Sequence, residues 1–420
     1  MTTASVDQVE RTRLEDHASS LAGLVSHAVH PEGGFGWLDP ANEVVVERPV
    51  ETWITCRMTH TAALELMRLA EAAADELALA PWRELLDVGH DALTGRLRDA
   101  EHRGWLPAVG GTEDQPTDKV AYAHAFVILA AASLARAGHP GGPALLREAL
   151  DVFEAYFWDD EAGMAREQYD RAWTRCEDYR GVNANMHTVE AYLAAADVLG
   201  DPLYLHRAAR ILERVVHRFA KDNDWRLPEH FDADWQPELD YNRDNPADQF
   251  RPFGVTIGHL LEWSRLALNV RSGLLAAGEQ APDWMVEDAR SLFAAATDRG
   301  WHRDGADGFV YTTDFSDEPI VAERLHWVCA EAIAAAWALY EATGMAFYRE
   351  WYDRAWDYAT TYLLDDEHGG WIHEVSPANG PSDSIWWGKP DVYHAYQATL
   401  TPLLPSLVSF AGSFREVPAR

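Results

Sequence analysis

Cysteine is nearly missing from this chain. Cys56, Cys176 and Cys329 lie far apart in 420 residues and form no C-x-x-C pair, which argues against a disulfide framework or a cysteine-rich zinc cluster. Basic residues are also few: 35 Lys and Arg stand against 68 Asp and Glu, a net charge of −33. A surface that acidic repels phosphate backbones and anionic lipid, so neither nucleic acid nor a membrane is expected as a partner. Long apolar runs are absent as well. AYAHAFVILAAASLA is too short, and too polar at its start, to cross a bilayer. The opening MTTASVDQVERTRLEDHASS lacks the basic stretch and apolar core of a secretory leader. A cytoplasmic location is the resulting expectation. The phosphate-binding G-x-x-x-x-G-K-[ST], the dinucleotide G-x-G-x-x-G and the nucleophile elbow G-x-S-x-G are missing too, and no nucleotide cofactor is implied.

What the chain does contain is ample apolar material, 47% of residues, and 18 tryptophans, a residue that fills cores and also walls sugar sites. Six Trp/Gly/Asp-rich turn segments recur: HPEGGFGWLDP, EHRGWLPAVGGTED, WDDEAGMAREQYDRAW, KDNDWRLPEHFDADW, RDGADGFVYTTDFSD and DDEHGGWIHEVSPANG. They are spaced by roughly 60–80 residues, enough for two helices and a loop. Between them run Ala- and Leu-rich stretches with helical periodicity. Some, such as PALLREALDVFEAYFW, are amphipathic, as an outer layer requires. Others, such as AFVILAAASLARAG, are apolar nearly all round and belong to an inner layer. The pattern predicts an all-α chain: an (α/α)6 barrel of six inner and six outer helices, with residues 1–420 forming one domain.

Each presumptive inner helix begins with polar and aromatic residues and carries a histidine: His60, His124, His187, His259, His326 and His394. Parallel inner helices would bring all six to one mouth. Taken singly each is a satisfied structural residue; together they imply a polar pocket or a shared network, because buried polar groups need partners. Two neutral imidazoles across a substrate suit acid–base work near pH 7. Glu190 and Glu262 each follow a histidine by one helical turn, and Glu190 reads as a local helix pair. Arg57 is paired with a structural acid or points into the pocket, where a cation would steady an enediolate. Trp53, Tyr122, Trp386 and Trp387 are core packing or sugar platforms, with Trp387 favoured beside its Gly-Lys-Pro turn. Arg251 stands either at the pocket rim or on the surface. No metal is expected: H-E-x-x-H is absent and no D-x-D cluster accompanies the histidines.

The stretches TWITCRMTH, GVNANMHTVEAYLAAADVLGD, FRPFGVTIGHLLEWSRL and GKPDVYHAYQATL resemble those of the N-acylglucosamine 2-epimerase superfamily. They are most similar to its aldose–ketose isomerase branch, the mannose and sulfoquinovose isomerases. The likeness runs from about Trp37 to Leu404. It implies the (α/α)6 barrel, a monosaccharide substrate, no cofactor, and two catalytic histidines, His259 and His394. His394 would move the proton between C2 and C1 through a cis-enediol, and His259 would serve ring opening and the oxygens. The same resemblance places Arg57, Trp53, Tyr122, Asn183, His187, Arg251, Glu262 and Trp387 around the sugar. The protein is expected to be a monomer or homodimer. D-Mannose ranks first as substrate and sulfoquinovose second, with an N-acylglucosamine- or cellobiose-type 2-epimerase as a further alternative. Two rival readings stay open. One is an (α/α)6 glycoside hydrolase drawing its carboxylates from Glu229, Asp232 and Glu262. The other is a carbohydrate-binding scaffold.

Overall fold

A computed structural model describes residues 5–418 of the chain. Twelve α-helices alternate between two layers among the described residues. The inner ones are α2 (Thr52–Glu71), α4 (Ala121–Arg136), α6 (Val182–Leu199), α8 (Ile257–Ala276), α10 (His326–Thr343) and α12 (Tyr393–Leu400). The outer ones are α1 (Gln8–Gly23), α3 (Glu76–Thr94), α5 (Gly142–Tyr156), α7 (Pro202–Leu212), α9 (Trp284–Gly300) and α11 (Ala346–Tyr358). Each inner helix touches the next, α12 closes on α2, and α1 packs over that closure. This is the (α/α)6 barrel expected from the alternation of amphipathic and all-round apolar segments. None of the described helices is long and apolar enough to cross a membrane.

The two layers are held differently. Helix α5 has no side-chain N-cap but buries Leu145, Leu146, Ala149, Leu150, Val152 and Phe153 along one stripe. A cap is worth ~1 kcal/mol, whereas each large apolar side chain buried contributes about 1.5–3 kcal/mol. Packing therefore dominates. The inner helices lack side-chain N-caps altogether. In five of them a two-residue strand just before the helix pairs antiparallel with a later loop: Val50–Glu51 with Ala108–Val109, Lys119–Val120 with Gln168–Tyr169, Arg180–Gly181 with His230–Phe231, Val255–Thr256 with Thr312–Thr313, and Arg324–Leu325 with Glu374–Val375. The same loops supply carbonyls to the first helical N–H groups, as from Pro107 to Thr52 (2.9 Å) and from His373 to His326 (2.9 Å). Those orphan donors of a helix start are thus satisfied by backbone.

The sixth pairing joins the two ends of the chain, Leu38 to Lys389. Gly388 makes it possible: its φ is +74°, and a Cβ there would lie 2.4 Å from the Leu38 carbonyl oxygen. Basic residues pin three of the turn segments. Lys119 reaches Asp99 (2.8 Å), Arg324 reaches Asp304 and Lys389 reaches Asp365 (2.6 Å). Each of these aspartates also accepts a backbone N–H of its own turn. At the opposite end of the barrel the C-terminal segment is tied down, with Asn269 donating to the Leu407 carbonyl (2.8 Å) and Arg136 to that of Phe414 (2.8 Å).

Candidate active site

The N-terminal ends of all six inner helices converge on one cavity. Trp53 and Arg57 come from α2, Tyr122 from α4, Asn183 and His187 from α6, His259 and Glu262 from α8, Trp327 from α10 and His394 from α12. Positive helix ends therefore surround the space. Trp327 forms part of the wall between the two histidines, its ring 5.4 Å from His259 and 5.7 Å from His394. Gly258 allows this approach, since a Cβ there would stand 2.2 Å from the indole.

Both histidines are buried and each is backed by a buried carboxylate. His394 Nδ1 bonds Glu331 Oε1 at 3.0 Å, and the other oxygen of Glu331 accepts from Arg265 Nε at 2.8 Å. Arg265 also approaches Glu262 at 3.4 Å. His259 Nδ1 lies 3.0 Å from Glu229 Oε2, though not aligned for a hydrogen bond. In both cases Nδ1 faces its carboxylate, which leaves Nε2 for the cavity. Burial, reinforced by Arg57, holds His394 well below the ordinary imidazole range. Burial and the neighbouring Glu331 push Glu262 well above the carboxylate range and favour its neutral acid. Glu262, Glu331 and His394 bring metal-type ligand atoms within 4.8 Å of one another, and the Arg265 guanidinium already acts as counter-cation to both carboxylates.

Arg57 settles its two open readings together: it pairs with an acid and lines the cavity. Its guanidinium donates to Asp391 Oδ2 (3.0 Å) and to the Tyr122 hydroxyl (3.0 Å), among the rings of Trp53, Phe126 and Tyr393. Burial alone would raise Asp391, but Arg57 together with His394 and His326 outweighs it and holds the carboxyl low. His187 rests against Phe126 and Tyr122, with Nδ1 3.6 Å from Glu190, and burial lowers it to about 4. Glu190 is more than a local helix partner: it accepts from the Tyr393 hydroxyl and from Gln397 (2.9 Å), which ties α6 to α12. Phe250 and Gln249 close the mouth. Phe250 packs edge-on against Trp53 and Trp386, and Gln249 donates to the Ile385 carbonyl (2.6 Å).

Eight of the ten expected site residues, His259, His394, Arg57, Trp53, Tyr122, Asn183, His187 and Glu262, line this cavity. Two do not. Trp387 faces outward, 37% exposed, beside Arg48, and its neighbour Trp386 forms the wall instead. Arg251 forms a two-pronged pair with Glu177 (2.9 and 2.9 Å) over the Tyr179 ring and lines an adjoining groove. Both sit in loops ahead of inner helices, where the local turn of the backbone sends Gln249, Phe250 and Pro252 inward and Arg251 away to Glu177. The six-histidine ring is corrected likewise. His60 lies one turn deeper than Arg57 and bonds Ser133 (2.7 Å). His124 follows Tyr122 by two residues, about 200° round the helix, and packs between layers against Trp105 and Phe157. Asp232, one of the hydrolase candidates, caps its own turn by accepting from Asp234 and Gln236. Sequence reasoning missed Glu331, Arg265, Asp391, Trp327 and His373. Charges set among apolar neighbours in the inner helices α8 and α10 were the available signal for Arg265 and Glu331; nothing local marked His373.

Comparison with known proteins matches this architecture. A D-mannose isomerase from Thermobifida fusca is 48% identical over 99% of this chain and 100% of its own. Another from Pseudomonas cannabina pv. alisalensis is 48% identical over 91% and 90%. A crystal structure of D-mannose isomerase superposes with a TM-score of 0.85 at 25% identity, covering 95% of this chain and 99% of that one. Residues 33–398 match the model for N-acylglucosamine 2-epimerase (GlcNAc 2-epimerase). With that match over most of its length, the chain belongs to the N-acylglucosamine 2-epimerase family.

Proposed function

We propose that this chain is an aldose–ketose isomerase that interconverts D-mannose and D-fructose, with His394 and His259 as its acid–base pair. The observation that carries the reading is their common geometry. Two imidazoles face one cavity, each with a buried carboxylate at Nδ1, which fixes the ring and steadies the imidazolium formed when Nε2 takes a proton. His259 assists ring opening by giving a proton to the ring oxygen and accepting the one on O1. His394 then removes the proton from C2 of the open chain, and the electron pair shifts into the C1–C2 bond as the C1 carbonyl oxygen gains charge. His259 moves a proton from O2 to O1, and His394 returns its proton to C1 to leave the C2 ketone. Arg57, the Tyr122 hydroxyl and the helix N-termini surround the developing enediolate.

A neutral hexose suits the lining. Arg57 is the sole Lys or Arg lining this cavity among the described residues, and Asp391 already neutralises it. A sulfonated sugar would bring an anion to a pocket with no spare cation, which favours mannose over sulfoquinovose. The same proposal takes the chain as one catalytic domain, cytoplasmic, acting as a monomer or homodimer. A proton NMR time course with D-mannose in D2O and EDTA tests it. Fructose forming under chelation is the expected result. Glucose as the main early product would make the enzyme a 2-epimerase, and an unreacted mannose signal would remove the substrate assignment.

A further inference from the structure

We propose that His326 binds the sugar directly, one ring nitrogen meeting a substrate hydroxyl while His373 behind it fixes the plane of the ring. The inference rests on the sugar-isomerase reading above. His326 opens α10 and lines the cavity, yet neither ring nitrogen has an aligned hydrogen-bond partner although both are buried. The His373 carbonyl lies near, but it accepts the backbone N–H of His326 at 2.9 Å. A buried polar side chain without a partner calls for a ligand or a water.

The surroundings specify what kind of ligand. The His326 and His373 rings stack with centroids 3.6 Å apart and planes 22° from parallel. The strand pairing of Arg324–Leu325 with Glu374–Val375 clamps the two from behind. His394 stands edge-on at 6.5 Å, and Asp391 and Arg57 are the charges that His326 feels. Burial lowers His326 to about 4, and burial with the adjacent ring holds His373 well below the ordinary imidazole range. A neutral imidazole offers one donor and one acceptor, which matches a hydroxyl and gives an anion little. Unlike His259 and His394, no carboxylate is paired with the His326 ring. Its role is therefore binding rather than proton abstraction.

Steady-state kinetics, direct titration with D-mannose and thermal unfolding of His326→Leu and His326→Gln test this together. His326→Leu should raise KM for D-mannose about tenfold with kcat within about threefold, the mark of binding shared by ground and transition states. Its melting temperature should be no lower than that of the parent, because the removed nitrogens had no hydrogen-bond partner in the protein and leucine keeps an apolar contact with the His373 ring. His326→Gln, which keeps a donor and an acceptor, should recover part of the affinity. A KM and titrated affinity within twofold of the parent would overturn the proposal, whichever way the melting temperature moves. A parent enzyme that binds mannose without converting it would fail the isomerase reading alone, and the titration would still decide His326. A parent that neither binds nor converts mannose overturns both.

Discussion

The outer and inner helices solve the same problem, an unsatisfied N-terminus, in opposite ways. Helices α1, α3 and α7 are opened by Asp7, Asp75 and Asp201, whose carboxylates accept backbone N–H groups at 2.9, 3.0 and 2.9 Å. Five inner helices use loop carbonyls instead, so at those five no capping side chain occupies the mouth; at α12 Asp391 accepts the Tyr393 N–H (2.9 Å). That end is free for other polar groups, and they gather there incompletely satisfied. Arg57, His187, His259, Glu262, His326 and Trp386 line the cavity, and each has at least one buried polar atom without a partner. Deeper in the barrel the polar side chains are better served: His60 bonds Ser133, and Asn269 bonds the tail. Unmet hydrogen bonds concentrated at one end of a well-packed barrel mark where a hydroxyl-rich ligand belongs.

This contrast can be broken at either layer. At the mouth, His394→Ala should lower kcat by about 10²–10⁴-fold with the helical circular dichroism unchanged. A variant keeping more than a tenth of the parent rate would return the cavity to a structural role. One step behind, Glu331→Gln removes the negative charge shared by His394 and Arg265 and leaves one acceptor oxygen where there were two. Breaking a buried ion pair in this way should cost ~3–5 kcal/mol in urea unfolding and reduce kcat as well. A loss below 1 kcal/mol would mean that Arg265 finds its balance in Glu262 alone.

Acid should reveal the inner layer as a whole. His60, His187 and His326 are each lowered by burial from 6.5 to about 4. The unfolded chain therefore binds more protons than the native one between those values, and stability falls as pH drops from about 6.5 to 4. Melting temperatures across that window, with proton uptake on unfolding measured by calorimetry in two buffers, check the sign. A flat profile would mean that these rings accept protons while folded. The smallest effect belongs to the outer layer. Asp75→Ala should cost ~1 kcal/mol and leave kcat untouched.

Much of this was legible in the sequence because it depends on periodicity. Stripe width separates PALLREALDVFEAYFW from AFVILAAASLARAG, and six turn segments count the repeats, so the barrel and its two layers follow from hydrophobic burial alone. Histidines placed early in the inner helices pointed to the mouth, and four of the six reach it: His187, His259, His326 and His394. Chain order could not settle which way a side chain turns. Two residues of helix separate Tyr122 in the cavity from His124 between the layers, and one residue of extended loop separates Trp386 from Trp387. Nor could it pair Glu331 with His394 across 63 positions, or stack His373 on His326. Local pattern determined the layers, since burial acts on each helix by itself. The site was decided by tertiary structure, because a hydrogen bond needs two atoms within ~3 Å and only ring closure brings distant helices that close.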